Sequence, residues 1–328
     1  MNFLITGGCG YIGSRVTQHL LKLNHKVLVY DNFWFGNSLQ KHKNLKIVKG
    51  DIRDTRKLED ECKGYDCFIH LACISNDASY VLNERLSKSI NFDAFEPMVI
   101  AAKNSGIKRF IYASTSSVYG ISDQKDVKED HPLVPLTLYN KFKGMCEPLL
   151  FNHTTNNFEG VIFRPATVCG YAPRLRLDLS VNILTNHAYY KNKITVFGGE
   201  QLRPNLNIKD YCIAVDLLMN SEVKNIFNQI FNVGYENMSI IQIANLVRET
   251  FKERYSKEIE IVRTETNDNR SYHINSDKIK ERLNFSPQFT IKEAINSLLD
   301  AFEKNKVKNT FENDIYHNVK RMQNLDVK

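Results

Sequence analysis

Tyr139 and Lys143 stand four residues apart, a spacing that puts both side chains on one face of a helix. A free phenol, with a pKa of about 10, is a poor base at neutral pH, but an ammonium one helical turn away favours phenolate and makes the tyrosine a proton acceptor. Near the amino terminus, Thr6-Gly7-Gly8-Cys9-Gly10-Tyr11-Ile12-Gly13 follows the apolar run Phe3-Leu4-Ile5. Glycines in such a turn let the backbone approach a pyrophosphate, which rests on the free amides at the positive end of the next helix. Together these elements point to a dinucleotide site beside a proton-transfer site, and so to reversible hydride chemistry at a carbon bearing a hydroxyl.

The elements that must hold these residues can be read from periodicity. Ile12, Val16, Leu20 and Leu23 recur at helical spacing after the glycine turn, which makes the first unit strand, turn and helix. The next strand, Lys26 to Tyr30, ends at Asp31, eighteen residues beyond Gly13, where a carboxylate accepts hydrogen bonds from adenosine ribose hydroxyls. A ribose phosphate there would be repelled, and Asn32, Phe33 and Trp34 come next with no arginine nearby, so the cofactor reads as NAD rather than NADP. On this reading Gly7, Gly10, Tyr11, Ile12, Gly13, Asp31 and Asn32 are cofactor residues, and Tyr139 and Lys143 complete the site. Strands are predicted near 2–6, 26–30, 46–49, 67–71, 108–114 and 159–164, with helices between them that include Glu84 to Ser105 and Leu138 to His153. This order gives an α/β fold: a Rossmann-type, doubly wound parallel sheet. Pro97 and Pro148 should kink two of those helices or mark a boundary.

With those motifs in place, the chain resembles an extended short-chain dehydrogenase/reductase of the NAD-dependent epimerase/dehydratase family from residue 1 to about residue 290. Further matches are Gly50-Asp51-Ile52-Arg53-Asp54, His70-Leu71-Ala72-Cys73, Ser114-Thr115-Ser116-Ser117-Val118-Tyr119-Gly120 and Arg164-Pro165-Ala166-Thr167. The resemblance implies that Asp51 and Ile52 border the adenine, that Leu71, Ala72 and Cys73 line the cofactor path, and that Pro165 to Thr167 flank the nicotinamide. Cys73 stands where the family usually has alanine. The same resemblance puts on Thr115 the hydroxyl directed at the reacting sugar oxygen, beside Tyr139 and Lys143 as the catalytic pair. The dehydratase branch follows that threonine with two acids, where this chain has Ser116 and Ser117. Elimination of water needs an acid and a base, so a 4,6-dehydratase is disfavoured, and the two serines read as a polar strand end satisfied locally.

Beyond Pro165 the alternation weakens, and 166–328 reads mainly as a smaller α/β substrate lobe, with 1–165 as the NAD-binding unit and its sheet completed by segments near 205–235. A helix at Leu179 to Lys191, a strand at Ile194 to Phe197, a return to the sheet at Asn205 to Ile208, a helix from Ile213 and another from Ser239 to Phe251 are expected. Arg203 and Arg270 match family positions that contact a nucleotide diphosphate, and a guanidinium fork suits paired phosphate oxygens. In Arg174-Leu175-Arg176-Leu177-Asp178-Leu179-Ser180-Val181-Asn182, Arg174, Arg176 and Asn182 are candidate phosphate ligands; the alternative is a helix entry in which one arginine pairs with Asp178. Similar stretches occur in relatives acting on GDP-heptoses. Asp210 is expected to stabilise a loop and helix start rather than to act in chemistry. Residues 306–328, rich in Lys and Asn, read as a polar tail.

A chain of 328 residues with 42% hydrophobic content buries a large core. Its seven cysteines show no metal-type pairing and read as reduced thiols in a cytoplasmic protein, with no metal site, no leader and no membrane span expected. Net charge is +7, but the lysines are scattered, which favours a solvated surface over nucleic acid binding. The resemblance implies a homodimer formed through the two proline-containing helices. It also implies an enzyme acting at carbon 4 of a nucleotide-linked sugar, as an epimerase first and a net 4-dehydrogenase second. A non-catalytic NAD-binding sensor or scaffold would usually have lost the tyrosine, the lysine or the glycine turn, and all three are present.

Overall fold

The computed structural model describes residues 1–325 except 123, 125, 267–270 and 272. Its strands in chain order are β1 (Asn2–Thr6), β2 (Lys26–Asp31), β3 (Leu45–Lys49), β4 (Cys67–His70), β5 (Arg109–Ala113), β6 (Glu159–Pro165), β7 (Thr167–Cys169), β8 (Lys193–Phe197), β9 (Leu202–Asn207), β10 (Gln229–Val233), β11 (Glu236–Ser239) and β12 (Glu260–Thr264). Helices α1 (Tyr11–Lys22), α2 (Thr55–Cys62), α3 (Asp77–Tyr80), α4 (Glu84–Lys88), α5 (Phe95–Asn104), α6 (Leu138–Phe151) and α7 (Ser180–Lys191) occupy the first part of the chain. After them come α8 (Ile208–Asn220), α9 (Val223–Ile226), α10 (Ile240–Tyr255), α11 (Asp277–Leu283), α12 (Ile291–Glu303) and α13 (Asn318–Asn324).

Seven parallel strands form the main sheet in the order β10-β6-β5-β4-β1-β2-β3, as the predicted α/β fold requires. Phe3, Leu4 and Ile5 of β1 are all fully buried, because helices cover both faces and successive side chains alternate between them. Phe3 and Ile5 join a core with Val16 and Leu20 of α1 and Val215 of α8, whereas Leu4 joins another with Leu58 of α2, Met98 of α5 and Leu150 of α6. The first core continues to Ile194 of β8 and Leu298 of α12, so the carboxyl-terminal elements are welded to the sheet rather than tethered to it. The strand order reverses between β1 and β4, and the crevice at the carboxyl ends of these strands is where such folds bind ligands.

The structure revises several of the expected elements. The segment at Asn205 to Ile208 does not return to the main sheet: β9 lies in a separate three-stranded sheet, antiparallel to β11 and parallel to β7, and β10 fills the edge beside β6. The helix expected from Ile213 starts at Ile208, because Asn207 caps it by accepting from the Lys209 amide at 3.0 Å. Asp210, in the first turn of that helix, holds a loop as expected: fully buried, it accepts from the Gln288 and Phe289 amides at 2.8 and 2.9 Å and ties down the segment before α12. The 84–105 helix is divided into α4, a wider π turn at Ser89–Asp93, and α5. Pro97, in the first turn of α5, has no N–H to offer the Asp93 carbonyl, which explains the break, whereas α6 runs through Pro148 to Phe151. The carboxyl-terminal tail also ends in a packed element, α13.

Candidate active site

A cleft of about 390 Å³ opens at the carboxyl ends of the strands. Its walls include Gly7, Gly10, Tyr11, Ile12, Gly13, Asp31, Asn32, Asp51, Ile52, Leu71, Ala72, Cys73, Thr115, Tyr139, Lys143, Pro165, Arg174 and Arg203, all of them named from the sequence. Asn182 is the exception. It is fully buried behind the wall, where its Oδ1 accepts from the Gly170 amide at 2.9 Å and its Nδ2 donates to Tyr11 Oη at 3.2 Å and to the Arg176 carbonyl at 2.9 Å. Those bonds use both of its donors and, with its full burial, make it an organiser of the wall rather than a substrate ligand. Arg270 lies outside the described residues.

The glycine turn is set by close packing. A Cβ on Gly13 would lie 2.1 Å from the Gly7 carbonyl oxygen, and Gly7 itself adopts φ +74° where a Cβ would lie 2.7 Å from the Ala72 backbone. Behind the turn, Gly10 begins α1 with no side-chain cap and no acidic residue in the first turn, which leaves the helix's positive end to an anion in the cleft. Those features fit a dinucleotide pyrophosphate. At the end of β2, Asp31 accepts from the Cys9 and Phe33 amides at 2.9 and 2.8 Å. Burial pushes its carboxyl above the ordinary value, and the two amides oppose that rise. Burial would likewise raise Asp51, but the Arg53 guanidinium and amide bonded to it hold its carboxyl below the ordinary value.

At the other end of the cleft, Thr137 caps α6 by accepting from the Asn140 amide at 3.3 Å, which puts Tyr139 in the first turn and Lys143 one turn deeper. Lys143 is buried, with Nζ donating to the Ala113 carbonyl at 2.5 Å and 4.6 Å from the centre of the Tyr112 ring. Burial first, and Lys143 second, depress His70 well below its usual pKa, so it is a neutral partner of Thr6 Oγ1 at 2.7 Å rather than a competing acid. Thr115 caps a 3-10 turn at Ser116–Tyr119; its Oγ1 lies 2.8 Å from Ser117 Oγ, which donates in turn to Asn140 Oδ1 at 2.5 Å. Ser117 is thus held in a local hydroxyl chain and Ser116 is buried.

Arg174 and Arg176 face different parts of the cleft. Arg176 pairs with Asp178 at 2.6 Å and donates to Ser75 Oγ at 3.1 Å, and its charge is felt at Tyr139 and Cys73. The sequence alternative of an arginine paired with Asp178 therefore holds for Arg176. Arg174 instead lies over Phe35, next to α1. The sequence reading missed Phe35 and Asn318, which line the cleft with Ser75 and Asn140. Asn318 comes from the supposed tail: it accepts from Arg174 Nη2 at 2.7 Å and donates to Ser75 Oγ at 2.9 Å. No local pattern marks an asparagine for such a role. Among the described residues, no group of three or more His, Cys, Asp or Glu is placed to hold a metal, and no helix is long and apolar enough to cross a membrane.

Residues 3–234 match the NAD dependent epimerase/dehydratase family. The chain is 27% identical to the UDP-glucose 4-epimerase of Lactobacillus helveticus over 75% of this chain and 82% of that protein. It is 27% identical to UDP-glucuronic acid decarboxylase 1 of Xenopus tropicalis over 92% of this chain and 72% of that one. Its structure resembles that of the UDP-glucose 4-epimerase from Thermotoga maritima with UDP-glucose, at a TM-score of 0.82 and 25% identity, covering 93% of this chain and 99% of the other.

Proposed function

This chain belongs to the NAD dependent epimerase/dehydratase family, and from that premise we propose that it works at carbon 4 of a nucleotide-linked sugar as a 4-epimerase. The observation that carries the reading is the convergence of Thr115, Tyr139 and Lys143 on the same cleft as the glycine turn and Asp31. NAD, when bound, supplies the acceptor and donor of the hydride. The residues that would hold it are the Gly7–Gly13 turn at the phosphates, Asp31 at the ribose, Asp51 and Ile52 at the adenine, and Leu71 to Cys73 with Pro165 along its path.

Tyr139, as phenolate, takes the proton of the 4-hydroxyl, and Lys143 one turn away favours that charged form. Thr115 hydrogen-bonds the same oxygen and fixes the carbon in front of the cofactor. In the free cleft the Thr115 proton points to Ser117 Oγ, 2.8 Å away, because Ser117 donates to Asn140; on binding Thr115 turns that proton to the substrate oxygen. Arg203, on the cleft wall, is the candidate for the substrate's diphosphate. The relatives include a decarboxylase as well as a 4-epimerase; in the proposed reaction the product depends on whether the carbon-4 ketone turns over, loses another group or leaves. Ser116 and Ser117 stand where the dehydratase branch carries its two acids, which counts against water loss.

For assembly, we propose a homodimer through α5 and α6. Ile100 and Met145 on these helices are each 40% exposed, and sedimentation of the pure protein would measure the state.

The decisive experiment incubates the protein with UDP-, GDP-, CDP- and dTDP-sugars and follows product configuration by NMR together with absorbance of reduced cofactor. Inversion at carbon 4 without accumulation of NADH supports the epimerase. Stoichiometric NADH would replace it with the net 4-dehydrogenase, and bound NAD with no turnover across the panel would leave only a sensor.

A further inference from the structure

We propose that Arg174 grips the pyrophosphate of the dinucleotide beside the start of α1, where the glycine turn ends; this rests on the NAD reading above. Sequence alone offered Arg174 to the sugar nucleotide, but the fold places it elsewhere. The loop between β7 and α7 crosses the start of α1: Tyr11 Oη donates to the Gly170 carbonyl at 2.7 Å, and the Arg174 amide donates to Ser14 Oγ at 3.4 Å. From there the Arg174 guanidinium stacks 4.2 Å from the centre of the Phe35 ring, four residues beyond Asp31. Tyr11 and Ser14 belong to α1, and Phe35 to the loop that leaves β2. Arg176, two residues later, turns instead toward Ser75 and the Tyr139 end.

The electrostatics are those of an incomplete site. Arg174 is 4% exposed, yet its side-chain acceptor is the neutral amide of Asn318, and its Nε is buried without a partner. Burial, with the Arg176 charge added, pulls its pKa down to about 9, and the Asp178 and Asp31 carboxylates, neither of them paired with it, only partly offset that fall. A buried cation without an ion-pair partner is costly to a fold that gains nothing from it. An anion in the cleft would supply the missing countercharge. A guanidinium fork matches two phosphate oxygens better than it matches ribose hydroxyls, for which Asp31 is the better partner. Phe35 holds the guanidinium plane and Asn318 holds one of its nitrogens, so both are positioning residues.

The test compares wild type with Arg174→Met, which keeps the stem on Phe35, and Arg174→Lys, which keeps the charge without the fork. Calorimetry with NAD, ADP-ribose and, separately, UDP, GDP and dTDP measures affinity, and thermal unfolding without ligand measures stability. Arg174→Met should weaken NAD and ADP-ribose by about 10- to 100-fold, leave the pyrimidine and guanine diphosphates unchanged, and not lower the ligand-free Tm. Arg174→Lys should fall between. Unchanged NAD affinity would overturn the proposal, as would a loss confined to the nucleoside diphosphates or an equal loss of every ligand with a lower Tm. Failure of the wild-type protein to bind NAD would instead defeat the cofactor reading itself.

Discussion

Glu147 on α6 and Arg164 on β6 form a two-point ion pair, Nε to Oε1 at 3.0 Å and Nη2 to Oε2 at 2.6 Å, with each residue 3% exposed. Ser114 Oγ donates to the same carboxylate at 2.7 Å, and Arg164 Nη1 donates to Tyr119 Oη at 2.7 Å. The pair therefore fastens the helix that carries Tyr139 and Lys143 to β6, and the Ser114 bond fastens it to the end of β5 that leads into Thr115. Glu147→Gln should cost about 3–5 kcal/mol of stability, because it leaves the Arg164 charge buried without its partner. Urea unfolding measures this directly. Replacing both residues with Met should cost less than the sum of the single replacements, and strict additivity would show that the pair does not act as a unit.

Tyr139→Phe should reduce turnover by at least about 100-fold while NAD still binds, since the ring keeps its packing but has no proton to exchange. Activity within a few fold of wild type would remove Tyr139 from the role of base.

The serines after Thr115 lead to a chemical prediction. Incubation with a nucleotide hexose and NAD should yield a product of unchanged mass or one lighter by two hydrogens, as mass spectrometry can read. Loss of the 6-hydroxyl requires an acid to protonate it and a base at carbon 5, whereas Ser117 is tied to Thr115 and Asn140. A product lighter by one water would place the enzyme with the dehydratases.

Cofactor affinity should depend on pH through Asp31. Burial raises its carboxyl above the ordinary aspartate value, and the ribose hydroxyls need the charged form as acceptor. Affinity is thus complete above the raised pKa and is lost as pH falls through it, at a higher pH than for an ordinary aspartate. For the ligand-free protein the sign reverses: the raised pKa adds stability in acid that is lost as pH rises through the same window. Asp31→Asn should flatten the pH dependence of NAD binding; an unchanged profile would assign it to another group.

The chemistry was legible because it is local. A strand, a glycine turn and a helix in register, an acid at the next strand end, and a tyrosine and lysine one turn apart are short-range patterns whose geometry comes from backbone periodicity. The parallel sheet was legible for the same reason, since strands buried on both faces read as continuous apolar runs. Boundaries that depend on distant partners were not. Asn207 capped the helix that was expected to start at Ile213, and β10 took the sheet edge expected for Asn205 to Ile208.

The sequence by itself determined the parallel strands, the glycine turn and the shared helical face of Tyr139 and Lys143, because each is encoded within a few residues of itself. Only the tertiary structure decided the destinations of Arg174, Asn182 and Asn318. Asn182 was absorbed into the wall by Tyr11 and Gly170, Arg174 was carried to α1, and Asn318 was brought back across the cleft to meet Arg174 from 144 residues away. A polar side chain's role depends on which partners the folded chain brings within about 3 Å of it, and no spacing along the sequence specifies that.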